Sequence, residues 1–394
     1  MLVRFRLLSI ITFCGVLLSG CQSGSRQEAS APVPGEDAWT FVSIPDFLNV
    51  DTEYPQPGWE ESLTVILDAV KNENPDFVLV PGDLVMGHWD APSWNSEDSI
   101  VKYSAKYYSA WKARMQAHQL KFYAAIGDHE IGDNPWIDSA KVAMIPVYKQ
   151  AFATHLQMPT NGPAHMQGTA FWWRHQNVLF VSVDVFEEGE SDQGSIKPGV
   201  SGEQLAWLER VLLENKDATH KVIMGHTPVL GEVRRWSSSG LKIAEGRQSD
   251  FWSTMSRHGV DLYLCGEMHA MTCTSRDGVM QMVHGGLIGY NRRTSYLVVT
   301  VSGDRLYLSL KELEMYPSGD HLWQVGDNRP LKKLDVNPEG FEVVGRVVID
   351  KSEGRSLLEP KGYFKRKYEE SNEWAAAVFR QGVSTEMTKI SLDD

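Results

Sequence analysis

The chain lacks several features that commonly define a protein class. Only four cysteines occur in 394 residues, two of them within the first 21, so no dense disulfide framework holds it together. There is no excess of basic residues: 38 Lys and Arg stand against 51 Asp and Glu, a formal charge of −13. That balance argues against a broad grip on a nucleic-acid duplex, which needs a basic surface. No apolar run is long enough for a comfortable membrane span, and no internal repeat is present. What remains is 42% hydrophobic, enough for one large domain or two small ones. An acidic chain still binds an anionic substrate where metal ions supply positive charge locally.

The N-terminus, MLVRFRLLSIITFCGVLLSGCQSGS, carries Arg4 and Arg6, an apolar run over residues 7–18, small residues and then Cys21. This is the layout of a secretory signal, and LSGC resembles the lipobox of bacterial lipoproteins. The resemblance implies a signal peptide over 1–20 and lipidation of Cys21. Gln22 after that cysteine favours the outer membrane, so the expected location is extracytoplasmic and lipid-anchored, facing the periplasm, with the membrane as a partner through the lipid. Residues 21–37 lack any apolar period and read as a flexible tether. In an oxidising compartment Cys265 and Cys273 pair if the chain doubles back between them, or stay as two buried thiols.

From Thr40 onward strand-like and helix-like segments alternate. TFVSI (40–44), FVLV (77–80), LKFYAAI (120–126), VLFVSVDVF (178–186), HKVIMGH (220–226), VDLYLCG (260–266) and VMQMVHGG (279–286) are apolar strand candidates. WEESLTVILDAVKNEN sets Leu63, Ile66, Leu67 and Val70 on one helical face. SGEQLAWLERVLLEN does the same with Leu205, Leu208, Val211 and Leu212, with Ser201 as the expected cap. The alternation predicts a layered α/β architecture. Long loops are expected over 157–175 and 232–246, and an aromatic-rich helix within 86–119. The main domain is expected over 38–302, and from 303 to 394 a β-rich accessory extension ends in a charged tail.

The polar residues that break this pattern sit at strand ends. Asp46 follows FVSIP, Gly82-Asp83 follows FVLVP, and Gly127-Asp128-His129-Glu130 follows FYAAI. Gly225-His226 follows KVIM, and Gly266-Glu267-Met268-His269 follows LYLC. Loops leaving the carboxyl ends of strands converge in layered α/β folds, and ligands gather there. Glu267 and His269, two apart, point to the same side of an extended chain. So many Asp, Glu and His side chains in one place call for a cation.

The ordered series D…GD…GDHE…GH…GEMH resembles the calcineurin-like metallophosphoesterases, whose pattern is DxH…GD…GNH[DE]…H…GHxH. The match runs from about Thr40 to Ser302. It implies a four-layer αββα sandwich with two metals at its edge, hydrolysing a phosphate mono- or diester. By that resemblance Asp83 bridges the metals, Asp46 and His269 hold the first, and Asp128, His226 and Glu267 join Asp83 on the second. His129 stands near the leaving group, and Asp83 and His129 are the residues expected to carry catalysis.

Three departures from the pattern matter. Leu48 replaces the histidine of DxH, leaving Asn49 and His88 as candidates for the missing ligand. Asp128 replaces an asparagine and Glu267 a histidine. A centre this rich in oxygen suits Mn²⁺, Mg²⁺ or iron better than a zinc pair. A second reading keeps the fold as a non-catalytic or single-metal lipoprotein that binds a glycan or anion. For the substrate, Arg234 and Arg235 are candidate phosphate ligands. Trp89, Trp94, Trp136, Trp172, Trp173 and Trp236 suggest stacking on a sugar or base, hence a small-molecule, glycan or nucleotide phosphate ester. His284 is either a partner behind a ligand or a core histidine.

Overall fold

The computed structural model describes residues 33–47, 57–85, 96–231, 240–286, 292–318, 333–365 and 392. The N-terminal unit, residues 1–32, lies outside them, and everything below belongs to the second compact unit, Val33–Asp394. The first half opens with β1 (Trp39–Ser43), α1 (Trp59–Asn72), β2 (Phe77–Pro81), α2 (Glu97–Ala117) and β3 (Phe122–Ala125). The short α3 (Ser139–Ala143) and α4 (Ile145–Leu156) lead to β4 (Phe171–His175), β5 (Val178–Ser182) and a hairpin, β6 (Phe186–Ser191) and β7 (Gly194–Pro198). Then come α5 (Gly202–Glu214), β8 (His220–Met224), α6 (Asp250–Arg257), β9 (Leu262–Cys265), β10 (Thr272–Arg276) and β11 (Val279–Val283). Among the described residues the last part has only strands as regular elements: β12 (Arg293–Ser302), β13 (Arg305–Ser318), β14 (Lys333–Val336), β15 (Glu342–Asp350) and β16 (Ser356–Gly362).

Two sheets result. One has the order β16-β15-β13-β12-β1-β2-β3, with β14 on β13, and the other β10-β11-β9-β8-β5-β4. β1, β2 and β3 are parallel, as are β5, β8, β9 and β11. Parallel strands are buried on both faces and need continuous apolar sequence, which FVLV and HKVIM supply. Their carboxyl ends deliver Asp46, Asp83 and Asp128 from one sheet and His226 and Glu267 from the other. The expected apolar face of α1 is buried, as is an aromatic face of α2 containing Tyr107, Tyr108 and Trp111.

The sheets meet through aromatic rings. Phe180 of β5 packs edge-on to Phe41 and Phe77 with centroids 5.2 Å away in each case. It also stacks on Trp173, which stacks in turn on Tyr123 at 3.9 Å. Trp173 is thus a strand residue packed between the sheets, where a loop was expected. Trp136 is fully buried, its indole donating to the carbonyl of Ile131. Neither ring is available to stack on a substrate. Trp89, Trp94 and Trp236 lie outside the described residues.

The strands after residue 303 extend the first sheet rather than folding apart. Their far end is tied to the second sheet by Lys351, whose Nζ lies 3.1 Å from Oδ2 of the buried Asp261. Cys265 and Cys273 are free and buried. They sit on β9 and β10, which flank β11. Two strand spacings put them roughly 10 Å apart, beyond the reach of a disulfide. Ser201 occupies the cap position of α5, but its hydroxyl donates to Glu187 Oε2 instead of accepting from the helix. Among the described residues no helix is long and apolar enough to cross a membrane.

Phe180 is 1% exposed at the centre of this seam. Phe180→Ala is expected to cost about 3–5 kcal/mol of unfolding free energy, measured by urea titration of the tryptophan fluorescence.

Candidate metal centre

Asp46, Asp83, Asp128, His226, Glu267 and His269 are all buried. Nε2 of His226 lies 2.9 Å from Asp128 Oδ1, 3.3 Å from Asp83 Oδ2 and 3.5 Å from Glu267 Oε2. Asp46, Asp83 and His226 offer donor atoms all within 4.8 Å of one another, and so do Asp128, His226 and Glu267. His269 stands on the Asp46 side, its Nε2 4.0 Å from Asp46 Oδ1. Asn49, His88, Arg234, Arg235 and Cys21 lie outside the described residues.

The backbone is bent to achieve this convergence. Asp46, Asp83, Glu267 and His269 all have positive φ, between 48° and 67°. Non-glycine residues rarely occupy that region, and such strain clusters at functional sites. The glycines beside them permit close approach. A Cβ on Gly82 would sit 2.3 Å from His226 Nδ1, and one on Gly127 2.2 Å from Asp83 Oδ1.

Burial works against these charges. Asp46 is pushed up to about 7 by desolvation, against the opposing pull of His226. Asp83 is raised well above the carboxylate range by burial and by the charge of Asp128. Burial also raises Asp128, but contact with His226 and the charge of His129 outweigh it and hold this carboxyl below its ordinary value. Burial lowers His226, yet the surrounding carboxylates, Asp83 foremost, raise it well above the imidazole range. Asp46 Oδ2 is buried with no hydrogen-bond partner among the described residues, and so are Asp128 Oδ1 and His226 Nε2, whose 2.9 Å approach is not aligned as a hydrogen bond. Inward-facing, oxygen-rich and short of positive charge, the donor set fits divalent cations.

Other groups orient the donors. His226 Nδ1 pairs with the Pro81 carbonyl at 2.8 Å, which leaves Nε2 facing the carboxylates. Asn134 donates to Asp128 Oδ2 at 2.9 Å, and the amide of Glu267 to Asp46 Oδ1 at 3.1 Å. His129 is partly exposed, with Nε2 3.8 Å from Asp83 Oδ2 and 4.0 Å from Asp133 Oδ1. The sequence does not single out Asp133 and Asn134, because DNP signals only a turn. Glu130 turns away from the donors. It accepts four backbone N–H groups, from Asp83 and Gly127 on one oxygen and Leu84 and Val85 on the other, at 2.8–3.1 Å. It therefore staples the two loops that carry Asp83 and Asp128. His284 is a core histidine, bonded through Nε2 to Ser43 Oγ at 2.8 Å and pushed down to about 4 by burial.

Glu130→Gln would turn an amide donor toward part of this set of N–H groups. It is expected to destabilise the protein by on the order of 3 kcal/mol, read from chemical denaturation.

The sequence profile of calcineurin-like phosphoesterases matches residues 55–271. No curated protein matches the chain. Among solved structures, a dimetal phosphatase from Danio rerio is similar over 68% of this chain and 95% of its own, at 17% identity and a TM-score of 0.46. GAP50, the anchor in the inner membrane complex of Plasmodium, is similar over 70% and 84%, at 13% and 0.43. A phosphopantetheinyl hydrolase from Mycobacterium tuberculosis is similar over 63% and 90%, at 14% and 0.32. With the profile covering more than half of the chain and the strand ends delivering its Asp, His and Glu residues to one buried cluster, this protein belongs to the calcineurin-like phosphoesterase family.

Proposed function

We propose that the protein is a metal-dependent phosphoesterase, held outside the cytoplasm by a lipid on Cys21. The observation that carries the proposal is the buried cluster itself: four carboxylates around one imidazole, with inward-facing atoms that lack hydrogen bonds. In this reading Asp83 would help to hold both cations, with Asp46 and His269 for one and Asp128, His226 and Glu267 for the other. Asn49 or His88 would take the place of the histidine replaced by Leu48. When bound, divalent cations neutralise charge on the phosphoryl oxygens and lower the pKa of water for attack. The abundance of carboxylates favours Mn²⁺, Mg²⁺ or iron.

The chain's own groups supply the remainder. His129 is the partly exposed imidazole beside Asp83, placed to donate a proton to the departing alcohol. Its amide donates to Asp83 Oδ1 at 3.3 Å, so the proton donor and the central carboxylate share one backbone frame. Arg234 and Arg235 hold the non-reacting phosphate oxygens. With −13 formal charge, a small phosphate ester of a sugar or nucleoside fits better than a nucleic-acid duplex.

The test uses protein from residue 22 onward, loaded with Mn²⁺ and assayed on p-nitrophenyl phosphate and its bis-ester. His129→Ala should retain metal and lose roughly 10²–10⁴-fold in kcat. Asp83→Asn should lose both metal and activity. Full activity in either variant would refute the assigned role.

Metal affinity should also depend on pH. A proton on Asp46, with its value near 7, competes with the cation. Affinity is therefore highest above pH 7 and weakens by roughly tenfold per unit below it for each proton displaced, measured by calorimetric Mn²⁺ titration at pH 5.5–8.

A further inference from the structure

Glu267 differs from the other carboxylates in the number of loops it joins. Its amide donates to Asp46, and its Oε2 faces His226. Its Oε1 accepts from the amides of Gly240 and Leu241 at 3.0 and 2.9 Å. Those amides begin a strap that crosses the edge of the fold. Ile243 donates to the Pro228 carbonyl, two residues past His226, and Ala244 to the Pro198 carbonyl at the end of β7, both at 2.9 Å. Lys197 pairs with Glu245 at 3.1 Å. On the other side, Gln281 Oε1 accepts from Val229 and Leu230 at 2.8 Å. The chain on both sides of residues 232–239 is thus pinned by one buried side-chain oxygen holding two consecutive amides. Only the Glu267 pin belongs to the metal centre.

We infer that Glu267 is a positioning residue that links occupancy of the metal centre to the order of the strap, residues 240–245. The linkage needs two acceptors on one side chain, one for the strap and one for the cation. A histidine, which stands at this place in the family pattern, offers one ring nitrogen to a cation while its other nitrogen carries a proton. It cannot accept from Gly240 and Leu241. The carboxylate does both, so the substitution in GEMH exchanges a simple ligand for a ligand with a second attachment. By reciprocity, a strap that holds Oε1 fixes Oε2 toward His226 and favours the cation, and a cation on Oε2 stiffens the strap. The linkage rests on the metal-centre reading, whereas the pinning of the strap by Oε1 does not.

The test is hydrogen exchange of the 240–245 backbone in the full chain, metal-free and with Mn²⁺, for the wild type, Glu267→His and Glu267→Gln. In the wild type, Mn²⁺ should slow exchange across the strap. Glu267→His should exchange at least about tenfold faster there without metal, with β9 and β11 amides unchanged. Glu267→Gln keeps a carbonyl oxygen for the two amides, so it should match the metal-free wild type but lose the slowing by Mn²⁺. Wild-type exchange rates in Glu267→His would overturn the pinning. If that variant unfolds, shown by fast exchange in β9 and β11, persistence of Mn²⁺ slowing in Glu267→Gln would overturn the linkage. Calorimetric Mn²⁺ binding to the wild type without slowing overturns the linkage alone. Absence of Mn²⁺ binding overturns both the linkage and the metal-centre reading.

Discussion

The structure depends on one electrostatic constraint: four carboxylates share a buried volume with one central imidazole. Desolvation penalises each charge, and the carboxylates repel one another. Without added positive charge, protons take up part of the load, and the upward shifts of Asp46 and Asp83 are that response. Such an arrangement is unfavourable for stability alone, and the positive φ at Asp46, Asp83, Glu267 and His269 adds backbone strain at the same place. The two-sheet core, with its interlocked aromatic seam, supplies the stability that lets the edge remain in this state.

Two kinds of side chain build that edge. One kind points inward with an atom free for a cation: Asp46, Asp128 and His226. The other kind points at backbone and fixes the loops from which the donors hang. Glu130 holds the loops after β2 and β3, and Gln281 holds the one after β8. Glu267 reaches in both directions: its Oε2 faces His226 while its Oε1 holds the amides of Gly240 and Leu241. Rigid second attachments of this sort set ligand geometry before a cation arrives, which is what metal selectivity and catalysis require.

Much of this was legible in the sequence because the signal is local. Apolar runs broken by Gly-Asp, Gly-His or Gly-Glu mark strand ends, and the spacing of Leu63, Ile66, Leu67 and Val70 marks a helix face. What escaped either lacks a clean local pattern or is set by distant partners. Trp172 and Trp173 lie on β4, a strand whose partner β5 starts only three residues after β4 ends, and WWRH has no clean alternation to reveal it. The segment after residue 303 reads as an accessory region because nothing local tells that β13 pairs with β12 and extends the sheet containing β1. Glu130 follows the catalytic-looking Asp128-His129, yet its task is set by four amides from two loops. Ser201 has a capping residue type, but Glu187, distant from it on β6, captures the hydroxyl.

The central claim is that the carboxylate cluster exists to hold two divalent cations. Anomalous diffraction at the manganese edge from crystals grown with Mn²⁺ tests it most directly. The account predicts two peaks flanking Asp83, one beside Asp46 and His269 and the other beside Asp128, His226 and Glu267. A map with no peak inside the cluster, at saturating Mn²⁺ and pH above 7, would contradict it.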